Sequence, residues 1–382
     1  MNRKSIYIFA IAVITCGALS AQSTTTITQQ QRQPRKTENV ILIVADGLRW
    51  QEVFGGMQRD LATTTHSVSH PEDFLARYDA ETSSARRQIL MPFLWSHVAT
   101  HGQIYGNREK NSPARVLNTM HFSYPGYNEM ISGAPDDKRI SSNRKIPNPN
   151  THVFEWLAAQ DFVSNRVFAA GAWDVYPYIF NTGRVKFPVD SGAPGFSPSG
   201  GTTPAMDLVN HIRKNTHNRW SSATFDSLIF PMFTEYVQNH KPRVMFLSLG
   251  ETDEWAHEGN YERYVESAQR VDRYLTELWE LLQTMPQYHD KTTIIFTSDH
   301  GRGSNDDPNP KAWNSHAANI AGCETIFMAV WGPDTPPLGE RENVPEVTLS
   351  QAAATLAHAL GYDYRADHPH ASPPLTEAVT TR

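Results

Sequence analysis

Four short apolar runs most constrain this chain: Val40–Ala45, Val244–Leu249, Thr293–Thr297 and Ile326–Trp331. Each lacks the apolar–polar alternation of a strand with one wet face, so each reads as a parallel strand buried on both faces. Helical patterns lie between them. Tyr261, Tyr264, Val265, Ala268, Val271, Leu275, Leu278 and Leu282 recur every three or four residues and predict a long amphipathic helix. Ser350–Leu360 predicts a second helix, stopped by Gly361. Strand–helix alternation of this kind predicts an α/β chain with a doubly wound, mainly parallel sheet and helices on both faces.

Two stretches interrupt the pattern. Gly56–Arg87 is polar and reads as a partly helical insertion. Phe187–Pro204 is rich in Gly, Pro and Ser and adjoins the helical material of Met206–Gln238. Long loops in compact domains tend to be functional, so insertions at about 56–87 and 187–240 are expected to shape a substrate mouth. The main domain is expected over 39–366, with a C-terminal tail at 367–382. The 382 residues carry 34 Lys+Arg against 40 Asp+Glu, and a net charge of −6 argues against a duplex nucleic-acid binder.

The opening MNRKSIYIFAIAVITCGALSAQS has the parts of a secretory signal: Arg3 and Lys4, a short apolar run from Ile6 to Ala18, and a small residue at Ala21. Residues 1–21 are read as that signal and 22–38 as a polar linker. The apolar run is too short for a comfortable membrane span, and no other stretch approaches the length needed. Cys16 lies inside the signal; a lipoprotein box around it is the alternative, with Thr15 unusual there. After cleavage Cys323 alone remains, so no intrachain disulfide forms. Export without disulfides suits a bacterial periplasm or envelope.

The chemistry gathers where the strands end, which is where such folds bind ligands. The first strand runs into Asp46-Gly47-Leu48-Arg49, the second into Gly250-Glu251-Thr252-Asp253-Glu254-Trp255-Ala256-His257, the third into Ser298-Asp299-His300-Gly301, and a later loop adds His316. Three Asp and three His so placed suffice for two divalent ions with mixed N/O coordination. Singly, an Asp after a strand is as readily a helix cap. Most of the 16 His, including His289, His368 and His370, read as solvated surface. Ser123 offers a nucleophile in Phe122-Ser123-Tyr124-Pro125-Gly126, where Pro125 and Gly133 bracket a short helix. Plain N-capping is the other reading of Ser123, because a serine hydroxyl needs activation before it attacks.

Taken together these motifs resemble the alkaline phosphatase superfamily, nearest its nucleotide pyrophosphatase/phosphodiesterase-like members, from Val40 to about Gly361. Asp46-Gly47-Leu48-Arg49 is similar to the first metal-binding DGxR. Ser123-Tyr124-Pro125 is similar to the nucleophile turn, and Ile140 with Asn143 to the loop after it. Asp253-x-x-x-His257, Gln269-Arg270-Val271-Asp272, Asp299-His300-Gly301 and His316 resemble the remaining motifs in order. The resemblance implies one ion held by Asp46, Ser123, Asp299 and His300, and another by Asp253, His257 and His316. It implies Ser123 as nucleophile, a phosphoserine intermediate, and Asn143 donating to a phosphoryl oxygen. Imidazole and carboxylate ligands suit Zn best, with Mn, Fe or Co as alternatives.

The implied substrate is a small-molecule phosphate ester. Members preferring monoesters often place a cation beside the phosphate. The segment Val167–Asp174 has none, which leans toward diesters. Trp173, Tyr176 and Tyr178 either stack on a substrate ring or pack the core, with Trp173 taken as substrate-binding. Arg49 either reaches the site or pairs with a surface acid. A sulfatase relative is the alternative, but Tyr127 stands where its signature requires Arg. A silent metal- or ligand-binding relative is the other, against which every expected position is filled.

Overall fold

The computed structural model describes residues 28–304 and 312–380. The expected signal at 1–21 with Cys16, the first part of the linker and the last two residues of the tail lie outside them. Among the described residues there are ten strands: β1 (Asn39–Ala45), β2 (Gly102–Tyr105), β3 (Ala114–Arg115), β4 (Val167–Gly171), β5 (Val189–Asp190), β6 (Val244–Leu249), β7 (Thr292–Thr297), β8 (Met328–Trp331), β9 (Gly339–Glu340) and β10 (Val347–Thr348). Eight form one sheet in the order β5-β4-β6-β1-β7-β8-β2-β9, and β3 pairs with β10 in a separate ribbon.

β1 lies at the centre, parallel to β6 on one side and β7 on the other. It is buried along its whole length, and its side chains divide between two cores. Ile41, Ile43 and Ala45 enter the core beneath the helix Tyr261–Thr284, whereas Val40, Leu42 and Val44 enter the core beneath the helices Val153–Ala158 and Gln351–Ala359. Burial on both faces is why this run shows no alternation. The eight apolar positions predicted for the long helix are all buried, and the Asn260 side chain caps its start by accepting from Arg263 N.

One strand departs from expectation. The run at Ile326–Trp331 forms β8, but it pairs antiparallel with both β7 and β2. Hydrophobicity marks a buried strand and carries no sign of its direction. Residues 28–38, read as a linker, are docked: Gln33 N donates to Gly361 O, Arg32 Nε to Leu360 O, and Thr37 N to Asp334 Oδ2. The tail packs as well, burying Leu375, Ala378 and Val379.

Candidate active site

Register sets the site. Ala45 is level with Leu249, and Val44 with Thr297, so the parallel strands β1, β6 and β7 release their chains at one edge of the sheet. Asp46 follows β1 directly. Gly47 turns there with φ +60°, and a Cβ on it would lie 2.7 Å from Asp253 Oδ1, so the turn needs glycine. After β6 the helix Glu251–His257 presents Asp253 and His257 one turn apart on one face. After β7 come Asp299 and His300, both wholly buried.

Ser123 opens the helix Ser123–Ser132 as its first residue, one place past Phe122 at the cap. Its hydroxyl faces the site, with Oγ 3.4 Å from His300 Nε2. The helix comes this close because residue 126 is glycine: a Cβ there would sit 2.2 Å from Asp299 O. Asn143 accepts from Tyr124 N at 2.9 Å through its side-chain oxygen, leaving its NH2 as the donor end.

The predicted residues converge. His300 Nε2 lies 3.4 Å from Asp46 Oδ1, 3.5 Å from Asp299 Oδ2 and 3.8 Å from Asp253 Oδ1. His316 Nε2 lies 2.9 Å from His257 Nε2 and 3.6 Å from Asp253 Oδ1. His257 Nε2 lies 3.2 Å from Asp253 Oδ2. The donor atoms of Asp46, Asp299 and His300 form one candidate metal-holding group, and those of Asp253, His300 and His316 another.

The donor chemistry fits cations. His300 Nδ1 faces Gly301 O at 2.9 Å and His316 Nδ1 faces His121 O at 3.0 Å. A carbonyl only accepts, so both rings carry the proton on Nδ1 and, when neutral, turn the Nε2 lone pair toward the carboxylates. Asp46 takes the Tyr127 hydroxyl on Oδ2 at 2.8 Å, and Asp299 takes Gly47 N on Oδ1 at 3.1 Å. Their other oxygens, Asp46 Oδ1 and Asp299 Oδ2, are buried without a hydrogen-bond partner. Acceptors facing lone pairs in a buried space call for positive charge. Burial and Asp46 drive the Asp299 carboxyl well above its usual range. Burial lowers the His300 pKa, but Asp299, Asp46 and Asp253 outweigh it and raise it to about 9. Burial, reinforced by His300, holds His316 well below the usual histidine range, hence neutral.

A cleft of about 660 Å³ opens over this cluster, walled by Ser141, Ser142, Asn143 and Lys145 on one side and Trp173–Tyr176, Ser222 and Ala223 on the other. Trp173 is half-buried at the wall, whereas Tyr176 is buried in an edge-on contact with Tyr127. Arg49 reaches neither the cleft nor the surface: it is wholly buried and paired with the equally buried Glu52. Arg270 ties the following helix to the site through Glu251, while Asp272 accepts from Phe93 N and Leu94 N elsewhere.

Four contributors escaped sequence reasoning. Tyr127 braces Asp46. Arg302, wholly buried, bonds to Asp253, Gly47 O and Asn314 O. Lys145 lines the cleft, paired with Asp174 at 2.6 Å. Glu254 lines it too, its pKa raised to about 8 by burial and by Asp253. Only position hinted at two of them: Glu254 directly follows Asp253, and Arg302 lies two residues after His300.

The strand order, the site edge and the cleft define an alkaline-phosphatase-like α/β protein. Crystal structures share that fold at low identity. The alkaline phosphatase PafA matches with TM-score 0.60 and 10% identity over 92% of this chain and 100% of its own. A phosphonate monoester hydrolase from Silicibacter pomeroyi gives 0.53 and 11%, over 90% and 76%. Ps i-CgsB, solved in complex with a neocarrahexaose, gives 0.50 and 18%, over 88% and 75%. No curated protein matches the sequence. The family description that does match, type I phosphodiesterase / nucleotide pyrophosphatase, covers residues 124–355. The chain belongs to that family and is a hydrolase. No described helix is long and apolar enough to cross a membrane.

Proposed function

We propose that the protein is an exported two-metal phosphodiesterase that works through a phosphoserine on Ser123. The observation that carries this reading is the approach of Ser123 Oγ to His300 within a buried set of carboxylates and imidazoles in which Asp46 Oδ1 and Asp299 Oδ2 have no hydrogen-bond partner. Asp46, Ser123, Asp299 and His300 would hold one divalent ion and Asp253, His257 and His316 another, most suitably Zn. Bound there, the ions would lower the pKa of the Ser123 hydroxyl and of a later water, and neutralise charge on the leaving oxygen.

The chain's own residues do the rest. Ser123 Oγ attacks phosphorus in line, forming the Ser123 O–P bond as the bond to the leaving oxygen breaks. The Asn143 amide donates to a non-bridging oxygen where transition-state charge resides. Water then cleaves the phosphoserine and frees the second product. Trp173 offers a flat face to the substrate. Lys145 is matched by Asp174, so this wall carries no surplus cation for the second charge of a monoester; that favours diesters. Export rests on the reading of residues 1–21 as a signal.

Hydrolysis of p-nitrophenyl phosphate, bis-p-nitrophenyl phosphate and p-nitrophenyl sulfate, with and without Zn, tests the proposal. Zn-dependent release is expected chiefly from the diester, and Ser123→Ala is expected to abolish it while retaining fold and much of the bound metal. An active Ser123→Ala variant, or release from the sulfate alone, overturns the reading.

A further inference from the structure

Beneath the cleft, a short strap links Ser123 and His316. Residues 117–122 lead directly into the helix Ser123–Ser132, and the strap is fastened from below by Glu129, two turns into that helix. Glu129 is buried, and its carboxylate accepts from Leu117 N, Asn118 N, Asn118 Nδ2 and Ser350 N at 2.8–3.2 Å. Asn118, also buried, uses its remaining side-chain group: Oδ1 accepts from His121 N at 2.9 Å. His121 has φ +54°, the left-handed region that a β-carbon disfavours. In that conformation its carbonyl meets His316 Nδ1 at 3.0 Å.

We infer that Asn118 is a positioning residue for the cation site, acting through His121; this rests on the functional reading above. By pinning His121 N, Asn118 keeps the His121 carbonyl on His316. The carbonyl in turn fixes the tautomer and ring angle that leave Nε2 free to bind a cation. Outer partners of this kind tune metal affinity as well as geometry.

Zinc alone is the probe, added to the full-length protein with a competing chelator, for wild type, Asn118→Ala and His316→Ala. Asn118→Ala is expected to weaken zinc about 10–100-fold at one of two sites and to leave the other unmoved. Two-bond 1H–15N spectra of the metal-free protein should show His316 as the Nδ1–H form in wild type and a tautomer mixture in the variant. Glu129→Gln, which preserves volume, should show the same selective loss, so that neither variant's folding decides the outcome. Wild-type affinity and tautomer in both variants, where His316→Ala is weakened, overturns the assignment of Asn118. Wild-type affinity in His316→Ala is a different failure: it removes the ligand itself, and the two-metal reading with it.

Discussion

The Tyr127 hydroxyl donates to Asp46 Oδ2 at 2.8 Å while sharing a 2.7 Å bond with Ser248 Oγ. A phenol thus holds one oxygen of the Asp46 carboxylate and leaves the other facing His300. Burial and Asp46 push its pKa far above the usual phenol value, so it stays a donor. Tyr127→Phe should therefore weaken metal binding about 10–100-fold, as loss of an outer partner does, with little change in fold. Isothermal titration with zinc checks this; unchanged affinity refutes the bracing role.

Gly126 lets the Ser123 helix rest on the Asp299 carbonyl. Gly126→Ala should push the two apart, costing about 1–3 kcal/mol of stability as an overpacked core does. A displacement near 1 Å at the reacting centre lowers turnover about 100-fold. Urea denaturation and kcat measured together test it, and a fully active variant refutes the close-approach explanation.

Asn143→Ala should remove one donor to the transferring phosphoryl group, at a cost of about 2.7–4 kcal/mol in the transition state. The measurement is kcat/KM on the diester. An unchanged value assigns the oxyanion contact to another residue.

Removing the acid partner of Lys145 should alter selectivity. Asp174→Asn leaves the ammonium unmatched beside the substrate, which favours a doubly charged monoester. The pair is exposed and such surface pairs interact weakly, so the monoester-to-diester ratio should rise only a few-fold, and most at low salt. A ratio that does not move shows that Lys145 lies too far from the phosphate to act.

His152 is wholly buried, accepting from Glu155 N on Nδ1 and facing Phe180 O with Nε2. Burial lowers its pKa from 6.5 to about 3. The unfolded chain therefore binds a proton that the folded chain refuses between those values. The stability this group contributes is complete above pH 6.5 and falls by about 1.4 kcal/mol per unit as pH drops toward 3. His152→Asn should be less stable at pH 7 but lose stability less steeply on acidification, as read by urea midpoints at pH 7, 6 and 5. Parallel slopes for the two proteins contradict the assignment.

The sequence was most informative where burial is symmetric. β1, β6 and β7 carry apolar residues on both faces, and the long helix keeps its period for 24 residues. Asp46, Asp253, Asp299 and His300 each sit within four residues of a strand end, so the fold and this half of the candidate site were readable together, whereas Ser123, His257 and His316 lie further along the chain. Elsewhere the signal is weak. β2 is only Gly-Gln-Ile-Tyr, and β8 betrays no direction. Residues 28–38 look like a tether because they dock through amide and guanidinium hydrogen bonds rather than apolar side chains. Lys145 enters the cleft from a polar loop, and Tyr127 meets Asp46 only because a helix crosses a strand end; neither contact leaves a spacing to detect.

The central position of β1 has a cost during synthesis. Val40 pairs with Val244 and Asn39 with Thr292, so the most apolar strand leaves the ribosome with neither neighbour made. At about 5–20 residues per second, it waits on the order of 10–40 s for β6 and longer for β7. During that time Asn-Val-Ile-Leu-Ile-Val-Ala is an unpaired, uncharged segment of strong β-propensity, the composition that seeds aggregation. A partner that covers the first strand until β6 emerges would suppress that risk, and the cluster of Asp46, Asp253, Asp299, His300 and His316 cannot assemble before the last third of the chain has folded.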